Sequence, residues 1–179
     1  MQLIIILGAV LVLICMWYVV SVNSIRALKL KVDEAESGID VALTKRYDVL
    51  TKQLEVVKAY AAHESNTIME SIKLRIGMTM QERIEASSKM DRINDSLKAV
   101  AESYPELRSN ENYKALQKSI DDVEEHLQAA RRLYNANVTS YNTKIVMFPT
   151  SIVAGMIGAT SRELFKVEEY KRNDVEMKF

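Results

Sequence analysis

Leu3-Ile4-Ile5-Ile6-Leu7-Gly8-Ala9-Val10-Leu11-Val12-Leu13-Ile14-Cys15-Met16-Trp17-Tyr18-Val19-Val20-Ser21-Val22 is a run of twenty residues with neither a charge nor a proline. As a helix rising 1.5 Å per residue it is about 30 Å long, the thickness of a bilayer's hydrocarbon core. It predicts a transmembrane anchor over residues 1–22. Trp17 and Tyr18 fall near its end, where amphipathic rings suit the headgroup region. No basic residue precedes the run, and Trp17 to Val20 offers no small-residue cleavage site, so the anchor is expected to be retained. Cys15 follows the bulky Leu13 and Ile14, which do not fit an acylation motif.

Orientation follows from charge. Arg26, Lys29 and Lys31 come just after the run and no Lys or Arg before it. The positive-inside rule places the N-terminus outside and the remainder in the cytoplasm, with Asp33, Glu34 and Glu36 weakening the bias.

The rest of the 179 residues has room for one domain. Five glycines and two prolines are few for such a length, which argues all-α with long helices. With 24 basic and 24 acidic residues spread along the chain, no basic patch invites nucleic acid. The single cysteine excludes a disulfide framework and a cysteine metal site.

Apolar residues recur at helical spacing through Leu28, Val32, Ala35, Ile39, Leu43, Tyr47, Leu50, Leu54, Val57 and Ala61, then Ile68, Ile72 and Ile76. As far as Ala61 the steps alternate between three and four except near Ile39 to Tyr47, where a stutter should unwind the seam locally. The anchor is therefore expected to continue without a break to about Arg75. Gly77 ends that helix, and Thr79 with Glu82 forms a capping box for a second one. Met80, Ile84, Met90, Ile93, Leu97, Val100 and Tyr104 mark its apolar face up to Pro105. A third helix, opened by Ser109-Asn110-Glu111, carries Tyr113, Leu116, Ile120, Val123, Leu127, Ala130, Tyr134, Asn137, Tyr141, Ile145 and Phe148 in steps of three and four. Phe148-Pro149 stops it. Thr150 or Ser151 then caps a short apolar segment, Ile152 to Ile157, expected to dock on the bundle, with the membrane or a neighbouring subunit as the alternatives. Short loops between long helices predict an up-and-down antiparallel bundle of three to four helices over residues 23–160, followed by a charged helix or tail, 161–179.

Several motifs in order resemble the LemA family: Val32-Asp33-Glu34-Ala35-Glu36-Ser37-Gly38-Ile39-Asp40-Val41, Lys45-Arg46-Tyr47-Asp48 and Val57-Lys58-Ala59-Tyr60-Ala61-Ala62-His63-Glu64. Tyr104-Pro105-Glu106-Leu107, Asn110-Glu111-Asn112, Arg132 with Tyr134-Asn135, Tyr141-Asn142 and Phe148-Pro149 continue the likeness to about residue 165. The resemblance implies a bacterial membrane-anchored helical bundle with its body in the cytoplasm, and it implies no enzyme activity. Glu36 stands where that family usually has tryptophan, and Thr51-Lys52-Gln53 replaces a Pro-Asn-Leu segment, so the first helix should run straight here.

Chemistry is sparse. His63-Glu64 lacks the second histidine of a zinc protease motif, since Thr67 occupies that place, and His126 is distant. No cofactor, metal or small-molecule substrate is expected. Asp40 and Asp48 straddle Lys45 and Arg46 and read as solvated ion pairs. Tyr134-Asn135 and Tyr141-Asn142 repeat at one heptad beside Arg132, and fix helix register or form a polar stripe for a partner. Asp40, Arg46, Asp48, Arg132, Tyr134, Asn135, Tyr141, Asn142, Phe148 and Pro149 are thus the candidate partner or register surface. The expected role is a non-enzymatic scaffold on the bacterial inner membrane, self-associating, with the lipid bilayer, a homo-oligomer or another membrane protein as partner. The alternative is an adaptor or regulator of a membrane protease or signalling complex.

Overall fold

The structure is a computed structural model and describes residues 1–60, 74–75 and 77–166. It contains α1 (Gln2–Lys58), α2 (Met80–Ser103), α3 (Pro105–Ser109), α4 (Glu111–Val146) and α5 (Thr150–Met156), with no strand among the described residues. The chain is all-helical, and its N-terminal helix is long and apolar enough to cross a membrane.

Helix α1 ends at Lys58, short of the expected Arg75. Val57 is the last buried residue of α1, and Lys58, Ala59 and Tyr60 are exposed. The N–H groups of Ala59 and Tyr60 bond to Val56 and Val57 three residues back, closing the helix tightly. Ile68, Ile72, Ile76, His63 and Glu64 lie outside the described residues.

The Thr79 capping box is present: Thr79 Oγ1 accepts from the Glu82 N–H at 3.2 Å, and Glu82 Oε2 accepts from the Thr79 N–H at 2.7 Å. Asn110 Oδ1 accepts from the N–H groups of Asn112 and Tyr113, starting α4. Between them Pro105 begins α3, a single turn that the sequence reading did not contain. Thr150 does not cap its own helix. Its hydroxyl donates to the carbonyls of Lys144 and Met147, the latter also accepting from the Ser151 N–H.

Contacts divide the chain into two compact units, one of residues 1–36 and 133–164, the other of 37–132 with the segment from 165. The long helices α1 and α4 contribute to both.

In the second unit, Asp40 pairs with Arg83 and Arg46 with Asp91, so residue numbers rise together along α1 and α2. Were these two helices antiparallel, Arg46 would face the start of α2, more than about 15 Å of helix away from Asp91. They run parallel. Helix α4 opposes both: Arg46 reaches Glu124, Gln53 Nε2 donates to Gln117, and Arg131 reaches back to Ser87. The expected up-and-down order is thus corrected for the first two helices. The rule of short loops does not apply, because residues 59–79 separate α1 from α2. Ile39, Leu43, Leu50, Met90, Leu97, Leu107, Ile120 and Leu127 form the core.

In the first unit, Val22, Ile25, Val32 and Ala35 of α1 are buried, as are Tyr134, Val138, Tyr141 and Ile145 of α4, and Val153 and Ala154 of α5. Asn137 Nδ2 donates to the Lys31 carbonyl at 3.0 Å and sets the level of these two helices. Residues 1–20 are exposed throughout.

Candidate functional site

The chemistry of the second unit is concentrated in a buried ionic cluster. Arg46, 2% exposed, lies 2.6 Å from Asp91 and 3.0 Å from Glu124, and its other terminal nitrogen reaches the Ser87 hydroxyl at 3.4 Å. Ser87 also accepts from Arg131, whose guanidinium stands 4.7 Å above the Phe165 ring. Burial lowers the Arg131 pKa, while Glu124 and Asp91 oppose that shift and the nearby Arg46 adds to it. Next to this cluster Arg83, also buried, binds Asp40 through both carboxylate oxygens at 2.6 and 2.7 Å and reaches the Met78 carbonyl. These pairs link α1, α2 and α4, while Arg46 Nε, Arg131 Nε and Glu124 Oε2 are buried without a hydrogen-bond partner among the described residues.

Arg46 is therefore not the solvated residue that the sequence implied, and Asp40, still about half exposed, pairs with Arg83 of another helix. A charged residue is exposed by default, but both belong to interhelical links. Asp48 and Arg132 are exposed, and the structure does not bring them to the cluster. Arg83, Ser87, Asp91, Glu124 and Arg131 were missed as participants. Part of the signal was spacing: Met80, Arg83, Ser87, Met90, Asn94, Leu97 and Ala101 alternate in steps of three and four, and all are buried. Arg46 and Gln53 likewise fall in step with Leu43, Leu50 and Val57. An apolar-only count passes over such positions and settles on Tyr47, which is only half-buried.

The Tyr-Asn repeat holds the chain after α5. Tyr134 donates its hydroxyl to the Glu163 carbonyl at 2.8 Å. Asn142 grips Arg162 on both sides, donating to its carbonyl at 2.8 Å and accepting from its N–H at 2.9 Å. Asn135 is half-buried, and Tyr141 is buried beside Ile25. Arg162 also pairs with Asp33 at 2.9 Å. Gly158, at φ +64°, lets the chain leave α5, with the Ala159 N–H returning to the Ala154 carbonyl.

Docking of Ile152 to Ile157 proves one-sided. Val153 and Ala154 are buried, but Ile152 and Met156 face outward, as do Val146 and Met147. Phe148, read as a seam residue, is 81% exposed, and Pro149 beside it is exposed too. The unit thus carries an apolar tip. Among the described residues no group of three or more His, Cys, Asp or Glu is placed to hold a metal ion. An open groove of about 740 Å³ between α2, α3 and the start of α4 is lined by Lys98, Arg108, Lys114 and Lys118 with Glu102 and Asp121.

The class defined here is an all-helical protein whose apolar N-terminal helix is compatible with membrane anchoring and whose body is knit by buried ion pairs. The family model described as LemA family matches residues 35–179, and the chain belongs to the LemA family. It is 28% identical over 164 residues to Protein LemA of Metamycoplasma hominis, covering 89% of this chain and 75% of that protein. Over 70 residues it is 33% identical to Magnetosome protein MamQ 2 of Paramagnetospirillum magneticum, covering 39% of this chain and 26% of that one. Over 69 residues it is 32% identical to Magnetosome protein MamQ of Magnetospirillum gryphiswaldense, covering 38% of this chain and 25% of that protein. The family read from the residue motifs is the family found.

Proposed function

We propose that this protein is a non-enzymatic scaffold held on the bacterial cytoplasmic membrane by one N-terminal span, with its N-terminus outside. Its body is then a cytoplasmic bundle of three long helices, and the molecule self-associates through the span and the helix that continues it. The observation that carries this reading is the apolar start of α1, with a mean hydropathy of 3.0 over eighteen residues and no part of it buried. None of the described residues covers that surface, and a bilayer is the environment that removes it from water. The apolar tip adds support. Counting from Asn137 opposite Lys31, Phe148 comes level with Val20, at the inner end of the span. Val146, Met147, Phe148, Ile152 and Met156 would then rest on the bilayer beside it. The scaffold role is supported by the ionic cluster, whose polar groups are engaged in linking helices.

A second reading, an adaptor or regulator of a membrane protease or signalling complex, is favoured by the groove at Lys98, Arg108, Lys114 and Lys118, which suits an acidic segment of a partner. Absolute mass by light scattering of the full chain in mild detergent separates the two. A discrete homo-oligomer is expected for the scaffold. A monomer that co-purifies with one membrane protein would replace it with the adaptor.

A further inference from the structure

Where the turn after α5 meets α1 and α4, the first unit holds a cavity of about 210 Å³. Two cations line it from α1: Arg26 and Lys29, three residues apart on one face of the helix. Neither has an ion-pair or hydrogen-bond partner among the described residues. From α4 comes Tyr141, 3% exposed, and its hydroxyl likewise has none. The residue is buried while its hydroxyl is not among the buried polar atoms left without a partner, so the hydroxyl keeps access to solvent and is free to bond a ligand. The turn brings Gly158 and Thr160 to the same space. Arg162 also lines it, its backbone fixed by Asn142 and its charge met by Asp33.

Two exposed cations without ion-pair partners, beside a tyrosine and a threonine around so small a space, suit a compact anion rich in acceptor oxygens. The volume equals that of roughly seven waters, enough for a phosphate with part of its ester group. Depth decides the source. If the hydrocarbon ends at Val22, Arg26 lies about 6 Å and Lys29 about 10 Å beyond it. The headgroup layer is about 5–8 Å deep, and a lysine reaches several ångströms back along its stem.

We infer that this cavity binds the phosphate ester of an anionic phospholipid headgroup. The inference rests on the membrane-span reading. Basic residues after a span commonly meet lipid phosphates diffusely, and such contact would need neither a cavity nor Tyr141. That difference is testable. The full chain is placed in phosphatidylcholine discs containing a minor fraction of phosphatidylglycerol, and the lipid retained on ejection is counted by native mass spectrometry. One phosphatidylglycerol per chain is expected, retained at least tenfold over phosphatidylcholine and not displaced by inorganic phosphate. Arg26→Gln with Lys29→Gln should lower that retention about thirtyfold, at about fivefold per charge near the surface. Tyr141→Phe, which leaves charge and packing unchanged, should lower it about threefold.

Equal retention of the two lipids, displacement by inorganic phosphate, or a Tyr141→Phe variant identical to the parent would each overturn the site. Failure of the unmodified chain to enter discs would remove the span reading and this inference with it. Entry without lipid preference would remove the headgroup site alone.

Discussion

Replacing Arg46 by methionine removes the charge at the centre of the body while keeping most of the buried stem. Arg46 is 2% exposed, and its partners Asp91 and Glu124 are 12% and 29% exposed. Breaking a fully buried ion pair from one side costs about 3–5 kcal/mol, because the remaining charge stays desolvated and unpaired. Two features reduce that figure here. Both carboxylates retain some access to water, and Arg131 remains near enough to act on them. A net cost of about 2 kcal/mol follows, which for a domain of this size lowers Tm by roughly 4–8 °C. Thermal unfolding of the full chain in mild detergent, followed by circular dichroism, measures it. The double variant Arg46→Met with Asp91→Asn should recover at least half of the loss, since the stranded charge disappears with its partner. A shift below about 2 °C, or a double variant worse than the sum of the singles, would refute the claim that this cluster ties α1 to α2 and α4.

Loss of the capping hydroxyl in Thr79→Ala should cost about 1 kcal/mol and lower Tm by roughly 2–4 °C. Glu82 is held below the ordinary carboxylate range, first by the Thr79 backbone N–H and then by Arg75 and the Thr79 hydroxyl. Its contribution is therefore present at neutral pH and lost as pH falls through its lowered value, so the Tm gap between the parent chain and Glu82→Gln should close in acid. Asn142→Ala removes both bonds to Arg162, about 2 kcal/mol, and should speed hydrogen exchange at the Arg162 amide about thirtyfold without a matching change near Met90. In a chain carrying Trp17→Phe and Phe148→Trp, the tryptophan should be quenched by brominated lipid, and unquenched emission would detach the apolar tip from the bilayer.

Most of the helical architecture was legible in the sequence because its signals are local. The capping box at Thr79 and Glu82, the Asn110 start and the apolar faces through Leu43, Leu97 and Leu127 all stand where the pattern puts them. Direction was not legible. Periodicity says which face of a helix is covered and is silent on which way the covering helix runs, so the parallel arrangement of α1 and α2 had to come from Asp40–Arg83 and Arg46–Asp91. The ionic cluster was hidden for a related reason. Arg46, Arg83 and Ser87 hold seam positions, but a reading that counts apolar residues assigns charged ones to solvent. Phe148 failed the opposite way: its spacing continues the seam, yet α4 has ended at Val146 and the ring turns outward. The cavity at Arg26, Lys29 and Tyr141 joins three stretches far apart in the chain, and no local pattern announces it.

The central claim, one N-terminal span with a cytoplasmic body, is tested most directly by thiol labelling in a Cys15→Ala background. Single cysteines at Gln2→Cys and Lys114→Cys are exposed to a membrane-impermeant maleimide in intact cells, and the membranes are then washed at alkaline pH. The account predicts that both variants stay with the membrane, that Gln2→Cys labels in intact cells, and that Lys114→Cys labels only after lysis. Labelling of Lys114→Cys in intact cells, or release of the chain into the wash, would contradict it.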